Sequence, residues 1–199
     1  MLPFAPMSAA EILRIGHAAY VASEESAPQK REYWDGFLVA MAGGSVRHSA
    51  LGARVVSELG RALEGGACRE FNSDLRIRVE ALNASFYPDA SVICGNVATS
   101  SDDAHAATNP TLVVEVVSPS TETYDRGAKF HAYSRLASLK AYLLVDSTTG
   151  SVDLFERDAD PDRWMQTTVA GTSGGSLAIG SLGITLSLDR VFAGFAELP

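Results

Sequence analysis

Apolar positions recur along this chain with two periods, and the alternation between them divides it into helices and strands. Leu51, Val55, Leu59 and Leu63 fall at every fourth residue, which predicts a helix with one core-facing stripe. Ser45, just after Gly43-Gly44, is placed to cap its start, and Gly65-Gly66 to end it. An earlier helix is predicted from Ser8 to about Tyr20, because Ser8-x-x-Glu11 is a capping box and Ile12 and Ile15 share one face. Polar residues 23–30 read as a connection. Residues 32–39 predict a hairpin that turns at Asp35-Gly36.

Strand patterns dominate beyond Gly66. Residues 69–72, 75–79 and 90–94 are strand candidates, with Asn72-Ser73-Asp74 between the first two. Residues 95–109 are small and polar and read as a loop. The strongest strand signal is 111–117, where Leu112, Val113, Val114, Val116 and Val117 surround Glu115. A run that is apolar on both faces belongs in the middle of a sheet. Ser118-Pro119-Ser120 ends it, a helix over 124–136 comes next, and then a buried strand over 141–145. That is a β–α–β unit, which lays two parallel strands under one helix. Residues 152–156 and 164–169 predict an antiparallel pair, and 189–195 a closing helix. The fold class is α/β (α+β), with a central mixed β-sheet flanked by helices. Length suits a single domain over 1–199, with 1–30 an N-terminal helix and connection and 31–199 the core.

Composition narrows the functional classes. The 199 residues are 46% hydrophobic and 20% charged, as in ordinary globular proteins. No stretch approaches the roughly 18–20 apolar residues that cross a bilayer. The N-terminus has no basic region ahead of an apolar core, so a cytoplasmic location is expected. Cys68 and Cys94 lack ligand spacing and are expected to be reduced structural thiols. The net charge of −8 runs against the Lys and Arg that phosphate backbones attract. The charge is uneven: residues 1–80 hold nine Lys/Arg against ten Asp/Glu, and the acidic excess lies later, at Asp102-Asp103 and between Asp153 and Asp162.

Glu115 is the first residue to suggest chemistry. An ionised carboxylate among buried valines costs several kcal/mol or more unless it is paired, protonated or bound to a metal. Asp89 follows Tyr87-Pro88 at a stiff strand entrance. Two carboxylates converging from neighbouring strands suit Mg²⁺ (or Mn²⁺), which binds through one or two carboxylates plus waters and phosphates. A nuclease of the PD-(D/E)xK type also needs a cation near that metal, normally a Lys two residues after the strand acid. Val117 fills that slot here. Lys129, early in the next helix, is the replacement candidate. Glu32 is a candidate further ligand or water-positioning group. His48, in the first turn of the second helix, is a candidate for touching phosphate. Arg126 is a candidate either for binding phosphate or for pairing with Asp125. Tyr133 is assigned to packing.

The order Tyr87-Pro88-Asp89, then Glu115-Val116-Val117-Ser118-Pro119-Ser120-Thr121, then Asp125-Arg126-Gly127-Ala128-Lys129, then Tyr142-Leu143-Leu144-Val145-Asp146 resembles the Uma-type family of "putative restriction endonucleases". Glu32-x-x-Asp35-Gly36 and His48 also stand where that family has them. The resemblance covers residues 8–195. It implies a restriction-endonuclease-like fold and a catalytic lysine moved from the strand to the following helix, which answers the empty slot at Val117. Ala128 and Ala141 depart from the family, which often has Glu at both places. The expected activity is divalent-metal-dependent cleavage of DNA, in a homodimer matched to two-fold DNA. Two alternatives stand beside it: a silent nuclease-fold subunit that binds nucleic acid or regulates, and a hydrolase of a small phosphorylated substrate.

Overall fold

The computed structural model describes residues 14–41 and 43–199. The capping box at Ser8 and Glu11 lies outside the described residues. The helix that is described there, α1, spans His17–Glu24 and so runs into the expected connection. Strands β1 (Arg31–Trp34) and β2 (Phe37–Ala40) form the expected hairpin. Asp35 and Gly36 both have positive φ, the two-residue turn whose twist matches the strands it joins. Helix α2 (Val46–Ala62) starts at Ser45, whose side chain accepts the His48 N–H. Its stripe at Leu51, Val55, Leu59 and Leu63 is buried. Removing each such side chain from water contributes about 1.5–3 kcal/mol.

Strands β3 (Cys68–Asn72), β4 (Arg76–Val79), β5 (Ala84–Phe86) and β6 (Ala90–Cys94) come next. The expected loop over 95–109 instead contains β7 (Thr99–Ser100) and β8 (Asp103–Ala107). Strand β9 (Leu112–Val117), a helical segment, and β10 (Ala141–Asp146) make the expected β–α–β unit, with β9 and β10 parallel. The helical segment is a π-turn at Tyr124–Lys129 that runs into α3 (Phe130–Tyr133). Strands β11 (Ser151–Arg157) and β12 (Trp164–Ala170) pair antiparallel, as expected. A small hairpin, β13 (Ser176–Ile179) with β14 (Ile184–Ser187), precedes α4 (Leu188–Val191), a shorter closing helix than the pattern implied.

There are two six-stranded mixed sheets rather than one. Sheet A runs β2-β1-β5-β4-β8-β7, and sheet B runs β12-β11-β10-β9-β6-β3. Strand β9 lies inside sheet B and every residue of it is buried. Alternation along β9 divides the core in two. Leu112, Val114 and Val116 pack with α2, α4 and the small hairpin, whereas Val113 and Val117 pack with sheet A, α3 and Tyr142.

Two polar links hold sheet A in shape. The guanidinium of Arg76 donates to both oxygens of Asp103, at 2.7 and 2.8 Å, and to the Tyr87 hydroxyl at 2.7 Å. His17 ties α1 to the sheet, with Nε2 3.1 Å from Ser85 Oγ and Nδ1 2.9 Å from Asp102 Oδ2. Burial lowers the His17 pKa, with Arg78 acting in the same direction and Asp102 against it.

The cysteine expectation is corrected. Cys68 and Cys94 are joined in a disulfide. They sit directly opposite each other in the antiparallel β3–β6 pair, a proximity that sequence spacing cannot reveal. Among the described residues no helix is long and apolar enough to cross a membrane.

The Arg76–Asp103 pair is buried, so removing one partner strands the other charge. Asp103→Ala is expected to cost about 3–5 kcal/mol, read as a lower urea midpoint. A change below about 1 kcal/mol would mean that the pair contributes little beyond an exposed ion pair.

Candidate functional site

The site is built around Glu115, which shares a face of β9 with Val113 and Val117 and is 3% exposed. It is not left unpaired. Lys129 Nζ donates to Glu115 Oε1 at 3.1 Å, and the Tyr133 hydroxyl donates to the same atom at 3.3 Å. The Lys129 ammonium also lies 2.8 Å from Glu32 Oε1 and 3.6 Å from Asp125 Oδ1. Glu32 reaches it from β1 of sheet A, and its Oε1 accepts the Tyr87 N–H at 3.4 Å.

Asp89 enters from the neighbouring strand. The β6–β9 register sets Ala90 opposite Val114, so one step further along it Asp89 comes opposite Glu115. Its Oδ2 accepts the Val116 N–H at 2.7 Å, continuing the ladder through a side chain. Its Oδ1 is 3.0 Å from His48 Nε2. His48 is held in turn by the capped first turn of α2.

Three carboxylates, of Glu32, Glu115 and Asp125, therefore surround one ammonium, and Asp89 lines the same cavity. Burial raises the Glu115 pKa well above the carboxylate range; Lys129 offsets part of this, and Asp125, Asp89 and Glu32 push it further up. Asp125 is raised for the same first reason, against the pull of Lys129. For Lys129, burial acts to lower the pKa, but Glu115, Glu32 and Asp125 outweigh it and keep the ammonium charged. His48 is raised above 6.5, chiefly by its hydrogen bond to Asp89.

These groups line one cavity of about 630 Å³. Its walls come from residues 39–41 and 43–45 on one side and from 118–121 on the other. The donor set fits Mg²⁺ or Mn²⁺ at Asp89 and Glu115. Glu115 Oε2 accepts no hydrogen bond from the described residues. Nor, among those residues, do three or more His, Cys, Asp or Glu form a closed ligand cluster. A site of two acids with room for water and phosphate is the usual arrangement for a small hard cation.

Asp89, Glu115, Lys129, Glu32 and His48 are thus brought together. Arg126 is not: its guanidinium bonds Glu122 Oε1 at 2.8 Å and Asp153 Oδ2 at 2.6 Å, away from Asp125 and the cavity. Two residues were missed. Asp125 lines the cavity, and the hydroxyl of Tyr133, assigned to packing, bonds Glu115. Both stand four residues from Lys129, so a helical stripe at 125, 129 and 133 was the available signal.

Residues 17–190 match the Uma2 family, described as "Putative restriction endonuclease". The chain belongs to the Uma2 family. Two uncharacterized proteins of Synechocystis sp. are similar to this Uma2 chain. One is 38% identical over 177 residues, covering 89% of this chain and 90% of the relative. The other is 30% identical over 154 residues, covering 77% and 86%. The solved structure of "a putative nuclease belonging to DUF820" from Anabaena variabilis has the same fold, with a TM-score of 0.65 at 17% identity. It covers 88% of this chain and 98% of that one. The Uma2 fold is therefore the mixed α/β arrangement that the sequence pattern predicted.

Gly44 gives a direct handle on the His48–Asp89 bond. A Cβ there would lie 2.5 Å from His48 Cδ2, so Gly44→Ala must displace the imidazole. The His48 pKa, followed by NMR in metal-free protein, is expected to fall back toward 6.5. A value that stays raised would show that Asp89 does not set it. The stability linked to this bond is full below 6.5 and fades as pH rises through the raised folded value, so the variant should lose least at high pH.

Proposed function

We propose that this protein is a divalent-metal-dependent nuclease of the PD-(D/E)xK type that hydrolyses DNA phosphodiester bonds. The observation that carries this reading is the delivery of Lys129 from the helical segment onto the strand acid Glu115, with Asp89 entering from the adjacent strand. The relocated lysine supplies the cation that Val117 cannot. The names of the Uma2 family and of the Anabaena protein agree with nuclease chemistry.

Asp89 and Glu115 would hold Mg²⁺ or Mn²⁺. A divalent cation there supplies Lewis-acid polarisation of the phosphate and activation of the attacking water. The side chains divide the remaining work. Lys129 donates toward the attacking water and the charge that develops on phosphorus. Glu32 and Asp125 hold that ammonium in place and charged. Tyr133 orients the Glu115 carboxylate, and His48 orients Asp89 and faces the phosphate. The reading carries with it residues 31–199 as the catalytic core, a cytoplasmic setting and a homodimer.

The test is calorimetry with Mg²⁺ and Mn²⁺ beside cleavage of plasmid and of single-stranded DNA in the same buffers. Asp89→Ala is expected to lose both binding and cleavage. Lys129→Met is expected to keep binding but to cleave about 10²–10³-fold more slowly. Because the raised Glu115 pKa makes a proton compete for the carboxylate, binding is expected to release a proton and to tighten as pH rises. Full cleavage by both variants would overturn the assignment. Binding without cleavage by the wild type would favour the silent subunit or a small phosphorylated substrate.

A further inference from the structure

We propose that the cavity admits a single DNA strand, as a free end or an extruded nucleotide, and does not act on a continuous duplex. The proposal deepens the nuclease reading, and rests on it for the phosphate chemistry. Three observations carry it.

The first is depth. Glu115 is 3% exposed and Glu32 and Asp125 are each 4% exposed, so the acids form the floor of the cavity and not a surface ledge. Its mouth is marked by the exposed lining residues, among them Val39, Gly43, Gly44, Pro119 and Ser120. A volume of about 630 Å³ is that of pockets which enclose one small molecule. A phosphate held between neighbours in a stacked, paired duplex cannot follow its backbone into such a space. A strand end, or a nucleotide turned out of the stack, can.

The second is charge. Duplex binders neutralise many phosphates with Lys and Arg. Among the described residues Lys129 is the one Lys or Arg lining this cavity, and its charge is already committed to three carboxylates. Three nearby basic side chains are engaged too: Arg126 by Glu122 and Asp153, Arg31 by Glu24, and Arg47 by the Leu198 carbonyl. With a net charge of −8 over the chain, little remains to grip a long polyanion from outside.

The third is the character of the walls. Val39, Met41, Pro119, Tyr87 and Tyr124 give the cavity apolar and aromatic surface. Such surface receives a nucleobase without regard to its identity, the usual way single strands are held. Affinity would then come from enclosing a base and from the metal's hold on one phosphate, with few other phosphate contacts.

Fluorescence anisotropy in Ca²⁺ tests this, because Ca²⁺ accepts the same oxygen ligands. The probes are an oligothymidylate of about 15 nucleotides, a blunt duplex of that length, and the same duplex with one unpaired central nucleotide. The single strand and the interrupted duplex are expected to bind at least about 10-fold tighter than the blunt duplex, with a shallow salt dependence. Val39→Trp narrows the mouth from an exposed position, 43% accessible in the wild type, and is expected to weaken single-strand binding while the circular dichroism spectrum stays unchanged. Equal or tighter binding of the blunt duplex, a steep salt dependence, indifference to Val39→Trp, or no binding of any probe would each overturn the proposal. Selective single-strand binding without cleavage in Mn²⁺ would sink the nuclease reading and leave this one standing.

Discussion

The Lys129 ammonium meets carboxylates that arrive from three separate parts of the chain: Glu32 from sheet A, Glu115 from sheet B, and Asp125 from its own π-turn. Each of these groups is costly to bury alone, and each is tolerable because the others are there. The relative placement of the two sheets is therefore tied to the assembly of the site. The apolar layers on either face of β9 supply the burial that makes such a cluster affordable. The same cluster has more negative than positive charge. That imbalance raises the Glu115 pKa, and a divalent cation would relieve it.

This also changes the meaning of the acidic composition. Taken as a single number, −8 argues against nucleic acid. Taken by position, four of the carboxylates line one cavity. Others neutralise arginines, as Asp103 does Arg76, and as Asp153 and Glu122 together do Arg126. Arg76 and Arg78 are used inside the protein, so their charge does not offset the acidic surface.

Features were legible in the sequence to the extent that their causes are local. The stripe from Leu51 to Leu63 and the doubly apolar run around Glu115 are written in consecutive residues, and both elements formed where the pattern put them. Glu115 drew attention because a charge there contradicts its neighbours. By contrast, β7 and β8 are short, small and polar. Strand β8 owes its place to parallel pairing with β4 and to the Arg76–Asp103 link, and β7 to antiparallel pairing with β8, none of which sequence periodicity records. The disulfide depends on the β3–β6 register and was equally out of reach. Lys129 was found from its place early in the helix after the Glu115 strand, and the resemblance agreed with it. Asp125 and Tyr133 were within reach, but only if the helix had been read as a face and not residue by residue. Arg126 was misdirected by its neighbour Asp125, when its actual partner Asp153 comes from β11.

The π-turn at Tyr124–Lys129 has its own consequence. The Phe130 N–H reaches back to the Asp125 carbonyl, and the Tyr142 hydroxyl donates to that same carbonyl at 2.9 Å. Such a turn holds one residue more than an α-helix of the same span. The number of residues between Ser118 and Tyr133 thus helps to set where Lys129 points. A lineage that lost one residue there could restore a regular helix and gain local hydrogen-bond geometry. It would also swing Lys129 by about 100° around the helix axis and out of the cavity. Length here sets the direction of a side chain as firmly as residue type sets its charge.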